Sequence, residues 1–136
     1  PGCEAAAVAI FVQLVVQLCR WYRTGGTPEA EELIGAGRAI SHIHNHFAEP
    51  IKIEDLAAIA HMSRRNFFRQ FRHATGLSPL EYLIRVRLAQ GRRDLQHSRR
   101  RISEIAFAVG FSDSNYFTRQ FRQHYGESPR AYRRRT

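Results

Sequence analysis

The stretch Pro79–His97, PLEYLIRVRLAQGRRDLQH, decides the fold, because a similar segment lies on each side of it. Leu80, Leu83, Ile84, Leu88 and Leu95 fall near helical spacing and no proline interrupts them, which predicts one continuous helix. At about 1.5 Å per residue that helix is a rod of roughly 28 Å. Upstream, residues 56–82 read LAAIAHMSRRNFFRQFRHATGLSPLEY; downstream, residues 105–132 read IAFAVGFSDSNYFTRQFRQHYGESPRAY. The two align with one extra residue in the turn of the second copy. Leu56 matches Ile105, Phe68 and Phe71 fall near Phe117 and Phe121, and Gly76-Leu77-Ser78-Pro79 matches Gly126-Glu127-Ser128-Pro129. The pattern is a tandem repeat joined by a rod.

Each copy reads as a short helix, a tight turn and a longer helix. In the first, Ile53, Leu56, Ala57, Ile59 and Ala60 make the short helix, opened by Glu54 and Asp55, which suit the positive end of a helix. His61-Met62 turns the chain, Ser63 caps the helix RRNFFRQFRHA, and Phe67 and Phe71 face inward at i, i+4. Arg64, Arg65, Asn66, Arg69 and Arg72 stand on its other side, and Gly76 ends it. In the second copy Ser103 and Glu104 open the short helix and Gly110-Phe111 makes the turn. Asp113 then caps SNYFTRQFRQHY, Gly126 ends it, and Ser128-Pro129 begins a terminal helix. A turn this tight requires a residue tolerant of positive φ, which Gly110 is and His61 more nearly is than most. Ala57, Ala60, Ala106 and Ala108 allow close helix approach. This is the helix-turn-helix pattern, whose second helix, anchored inside by aromatics, presents a polar face to a groove about 12 Å wide. Solvated arginines on ordinary amphipathic helices would explain one copy; two copies in an arginine-rich half favour nucleic-acid binding.

The charge is placed to match. Residues 1–50 hold three Arg against five acids, net −2, whereas residues 51–136 hold eighteen Lys and Arg against seven acids, net +11. Seventeen of those eighteen are Arg, suited to bidentate contact with phosphate and guanine. No nucleophile–base pair, phosphate loop or metal cluster stands out, so the reading is of a protein without catalytic residues, bound metal or cofactor.

The N-terminal third has a different character. The chain opens Pro1-Gly2-Cys3 without an initiator Met, as a fragment or processed product would. Residues 5–19, AAAVAIFVQLVVQLC, are too short for the roughly 20 residues of a bilayer span, are interrupted by Gln13 and Gln17, and follow no cationic region. As a helix to Tyr22, Ala7, Phe11, Leu14, Leu18 and Trp21 form a stripe, widened by Val8, Val12, Val15, Cys19 and Tyr22. So wide an apolar face predicts a dimer contact or docking onto a further domain. Cys19 in such a helix reads as an inert thiol, and two cysteines are too few for a disulfide scaffold, so the reduced cytoplasm is the expected compartment. Residues 24–28, TGGTP, read as a joint, with Thr27 capping and Pro28 opening a helix from about Glu29 to Phe47. His42, His44 and His46 lie on it without the further ligands a zinc site needs, and are read as helix surface.

Residues from about Arg38 to Tyr132 resemble the DNA-binding domain of AraC/XylS-type bacterial transcription regulators. The resemblance rests on D-L-A-x-x-A-x-x-S from Asp55, F-R-x-F-R-x-x-x-G-x-S-P from Phe68, Arg87-Leu88-Ala89, and I-x-E-I-A-x-x-x-G-F from Ile102. Tyr116-Phe117-x-Arg119-x-Phe121 and G-x-S-P-x-x-Y-R from Gly126 belong to it as well. It implies an all-α fold of two helix-turn-helix subdomains, 29–78 and 99–136, joined by a linker helix, 79–98, with a connector and dimerisation helix, 1–28, in front. It implies double-stranded DNA as partner, contacted by Ser63, Arg64, Arg65, Asn66, Phe68 and Arg69 and by Asp113, Ser114, Asn115, Thr118 and Arg119. A homodimer through residues 1–24, a contact with RNA polymerase and a role as activator are implied too. The competing readings are a DNA-alkyl-repair or other multidomain protein carrying this module, and a non-specific, RNA or single-strand binder.

Overall fold

The computed structural model describes residues 2–24 and 27–136, with side chains described at 10–21, 23 and 27–136. Gly25 and Gly26 of the expected joint, and the side chains of Ala7, Val8 and Tyr22 in the expected stripe, lie outside the described residues. These contain eight helices and no strand: α1 Gly2–Thr24, α2 Pro28–His46, α3 Ile53–Ile59, α4 Arg64–Thr75, α5 Pro79–His97, α6 Ile102–Ala108, α7 Ser114–Tyr125 and α8 Pro129–Arg135.

Their ends follow the capping chemistry of the sequence. Thr27 and Ser63 accept hydrogen bonds from the Ala30 and Asn66 amides, and Asp113 accepts from the Asn115 amide. Gly76 and Gly126 end α4 and α7 in the left-handed conformation, their N–H groups donating to the Arg72 and Arg122 carbonyls at 2.8 Å. Ser78 opens α5 in a reciprocal box: it accepts from the Glu81 amide, and Glu81 accepts from the Ser78 amide at 2.9 Å. That backbone bond, more than any other contact, holds the Glu81 carboxyl below its usual range. Its contribution to this cap is therefore present above the ordinary carboxylate pKa and is lost as pH falls through the lowered one. The start of α6 differs from expectation. Ile102, not Ser103, is its first residue, because Glu104 reaches back to accept the Arg101 amide at 2.8 Å.

The two turns are one structure built twice. His61 has φ 56° and Gly110 φ 102°. The Met62 amide donates to the Ala57 carbonyl and the Phe111 amide to the Ala106 carbonyl, both at 3.0 Å. The copies are 49 residues apart up to this bond and 50 apart from the following cap onward, so the inserted residue is Ser112. With that offset Phe67 is the counterpart of Phe117 and Phe71 that of Phe121, all four fully buried. Each such ring contributes about 1.5–3 kcal/mol by leaving water.

Two cores result, and α5 supplies both. Ala39, Ile43, Leu56, Ala57, Ala60, Phe67, Phe71 and Leu83 form the first; Leu88, Leu95, Ile105, Ala106, Val109, Phe111, Phe117, Phe121 and Tyr132 form the second. The rod is thus a shared wall, with Leu83 turned into one unit and Leu88 and Leu95 into the other. Leu80, expected on its apolar side, is 54% exposed, whereas Gly91 is buried. A Cβ at Gly91 would stand 2.9 Å from the Phe117 ring, so the glycine lets α7 lie directly on the rod.

Candidate nucleic-acid interface

The second helix of each unit, α4 and α7, lays its phenylalanines in the core and turns its polar residues outward. On α4, Arg64, Arg65, Arg69 and Arg72 are exposed, while Asn66 and Phe68 are partly buried. On α7, Asn115, Arg119 and Arg122 are exposed, and Ser114 and Thr118 partly buried. Ser63 and Asp113 use their side chains as caps, which holds the first amides of both helices in place. Thr118 donates its hydroxyl to the Ser114 carbonyl at 3.0 Å.

Several of these groups are already oriented by neighbours. Arg64 pairs with Glu54 at 2.9 Å and lies over the Phe68 ring at 5.8 Å. Phe68 meets Phe67 edge-on at 6.4 Å and is only partly buried. Arg69 donates to Asn66 at 2.9 Å, and Asn66 donates onward to Glu32 of α2 at 3.2 Å. In the second unit Tyr116 stands where Asn66 does, and the Arg119 guanidinium lies over its ring at 5.9 Å. Each helix thus carries an exposed arginine steadied by the side chain one turn earlier.

A residue that the sequence flagged only as part of a motif fixes the two units against each other. Arg87 of α5 is half-buried; it donates to the Phe47 carbonyl at 2.7 Å and the Glu49 carbonyl at 3.0 Å, just past the end of α2. Burial pushes its pKa down from the usual arginine value. The carbonyls compensate, since the end of a helix leaves acceptors facing outward. Gly110 lies on the same clamp: a Cβ there would meet the Phe47 carbonyl oxygen at 2.7 Å and Arg87 Nε at 2.8 Å. One guanidinium therefore joins α2, α5 and the turn before α7. At the far end Arg92 donates to the Tyr132 hydroxyl at 2.9 Å, tying α8 to the rod; that bond is the main reason its pKa is raised.

The histidines of α2 go elsewhere. His42 and His46 stack at 4.5 Å, His44 bonds the Tyr82 hydroxyl at 2.8 Å, and His46 contacts Glu49. Cys19 is exposed rather than enclosed among apolar groups. No described helix is long and apolar enough to cross a membrane.

Two outward recognition faces on one frame of shared helices define a tandem helix-turn-helix module. Comparison with known proteins agrees. The helix-turn-helix domain family matches residues 56–135. The transcriptional activator RhaS of Escherichia fergusonii is 39% identical over 126 residues, covering 91% of this chain and 44% of that protein. RhaS of Pectobacterium atrosepticum is 36% identical over 134 residues, covering 98% and 47%. The chain spans about half the length of the curated relatives it matches. Among solved structures, the DNA-binding domain of AdpA, in complex with a target DNA, superposes with a TM-score of 0.69 at 39% identity, covering 72% of this chain and 88% of that one. An AraC-type regulator from Chromobacterium violaceum gives 0.68 at 31% identity, covering 73% and 88%. The chain belongs to the AraC/XylS-type family of helix-turn-helix transcription regulators.

Proposed function

We propose that this chain is the sequence-specific, duplex-DNA-binding part of a cytoplasmic bacterial transcription activator, with no catalysis of its own. The observation that carries this reading is the duplicated recognition helix, its arginines exposed while its phenylalanines are fully buried. A single-strand or RNA reader needs stacking platforms, and the four recognition-helix phenylalanines that point into the cores cannot serve as such. The relation to RhaS and to the DNA-bound AdpA domain supports it further. On this reading α4 and α7 enter successive major grooves. Arg64, Arg65, Asn66, Phe68 and Arg69 face one box and Ser114, Asn115, Thr118 and Arg119 the other, with Ser63 and Asp113 at the helix starts beside the backbone. Surface left open on DNA is available to RNA polymerase. The test is competition: labelled duplex containing the selected site is expected to be displaced by unlabelled duplex but not by equal masses of RNA or single strands. Equal displacement by all three would remove the reading.

The apolar side of α1 belongs to the same proposal as a dimer contact. Phe11, Leu14, Leu18 and Trp21 are 67%, 57%, 50% and 71% exposed on this chain. Sedimentation is expected to show self-association that is lost when Leu14 and Leu18 become Glu or residues 1–24 are deleted, with DNA binding by the monomer retained. A monomer before and after would remove the dimer role.

A further inference from the structure

We infer that Glu32 of α2 is a positioning residue for the first box, acting through Asn66 on Arg69. The inference rests on the reading that α4 contacts bases. Glu32 lies upstream of the residues that the helix-turn-helix family matches, 56–135, and 34 positions before its partner. A carboxylate only accepts hydrogen bonds, so the Asn66 amide nitrogen must face it. The Asn66 oxygen is thereby turned the other way, where the Arg69 guanidinium donates to it at 2.9 Å. Without Glu32 the amide can rotate and present its own donors to the cation, which repels rather than holds it. The result is a relay of two bonds, 3.2 Å and 2.9 Å, that fixes a long side chain before DNA arrives. Preordering of this kind favours one bidentate geometry over the many an unrestrained arginine samples.

The surroundings are consistent with this role. Glu32 lines a shallow groove with Ser63, Arg65, Asn66 and Arg69, at the base of the recognition face. It is placed there by the close approach of α2 to the turn. A Cβ at Gly35 would lie 2.5 Å from the Ala60 carbonyl oxygen, so a glycine one turn after Glu32 sets the spacing. The second unit steadies Arg119 differently, on the Tyr116 ring within α7 itself. The dependence on a second element is thus a property of the first box alone.

The experiment compares base discrimination in each box for the full chain and for Glu32→Ala, Glu32→Gln and Arg69→Ala, using single-substitution duplexes. Glu32→Ala is expected to lower discrimination in the first box by about 3- to 10-fold, the worth of one lost hydrogen bond, and to leave the second box unchanged. Glu32→Gln retains an acceptor oxygen but adds donors, so it orients Asn66 only in part. It is expected to leave first-box discrimination between that of the full chain and that of Glu32→Ala, while tightening binding to every duplex through loss of one negative charge. If Glu32→Ala leaves both boxes unchanged while Arg69→Ala alters the first, the positioning role is overturned alone. If Glu32→Ala lowers discrimination equally in both boxes, the loss of one charge rather than orientation is responsible, and the role is overturned too. If Arg69→Ala changes neither box, the underlying assignment of α4 fails instead.

Discussion

Phe117→Ala is expected to destabilise the protein by about 3–5 kcal/mol. The ring has no exposed surface, meets Phe111 at 5.2 Å and Phe121 at 5.7 Å, and fills the space that Gly91 leaves on α5. Its loss leaves a cavity against the shared wall of both cores that the neighbouring rings fill only in part. A chain of this length has total stability of roughly 7–20 kcal/mol, so the change is a large fraction of the whole. The melting midpoint should fall on the order of 10–20 °C. Phe107→Ala is the control. The same residue type ten positions earlier is 55% exposed on α6, and its truncation should change stability by no more than about 0.5 kcal/mol. Similar shifts for the two variants in thermal or urea melts would contradict the core as described.

The second large effect is on affinity. Eighteen cations lie in residues 51–136 against seven acids. Not all of them face outward as free charge: Arg87 is tied to carbonyls, Arg92 to Tyr132, Arg64 to Glu54 and Arg135 to Glu127. The remainder still suffice for several phosphate contacts, each adding about −0.9 to the slope of log K against log salt. With about six contacts, binding should weaken on the order of a thousandfold between about 50 and 200 mM salt. Titration by fluorescence anisotropy checks it, and affinity indifferent to salt over that range would contradict an electrostatic footprint.

Local chemistry made most of the fold legible in the sequence. Caps at Thr27, Ser63, Ser78, Asp113 and Ser128, and left-handed stops at Gly76 and Gly126, depend on neighbours within a few positions, and the structure has each of them in place. Duplication did more, since a second copy showed that His61 occupies a glycine-like position. What the sequence did not reveal are contacts between residues far apart in the chain. Nothing in the spacing of the sequence singles out Glu32 until α4 brings Asn66 beside it. Arg87 stands in the sequence only as part of the Arg87-Leu88-Ala89 motif until Phe47 and Glu49, 40 and 38 positions away, present their carbonyls. Helical spacing likewise put Leu80 with Leu83 on the inner face of α5, but that face is set by two cores at once, and the helix turns Gly91 inward while leaving Leu80 exposed. The base-facing roles on α4 and α7 rest on exposure and family resemblance together, because exposure alone does not distinguish a reader from a solvated arginine.

The central claim is that one chain reads two different boxes with two helices held on one frame. A rod of roughly 28 Å, with α4 and α7 at its sides, suits a separation near one DNA turn, about 34 Å. The direct measurement is binding-site selection with the full chain and with Arg69→Ala and Arg119→Ala. An asymmetric site of two boxes about one turn apart is expected, with Arg69→Ala relaxing bases in one box and Arg119→Ala in the other, each by about 1–3 kcal/mol. The box read by α4 should be the more stringent, since Arg64 and Arg65 stand where α7 has the shorter Ser114 and Asn115. A two-fold symmetric site, or one in which both variants alter the same base pairs, would contradict it.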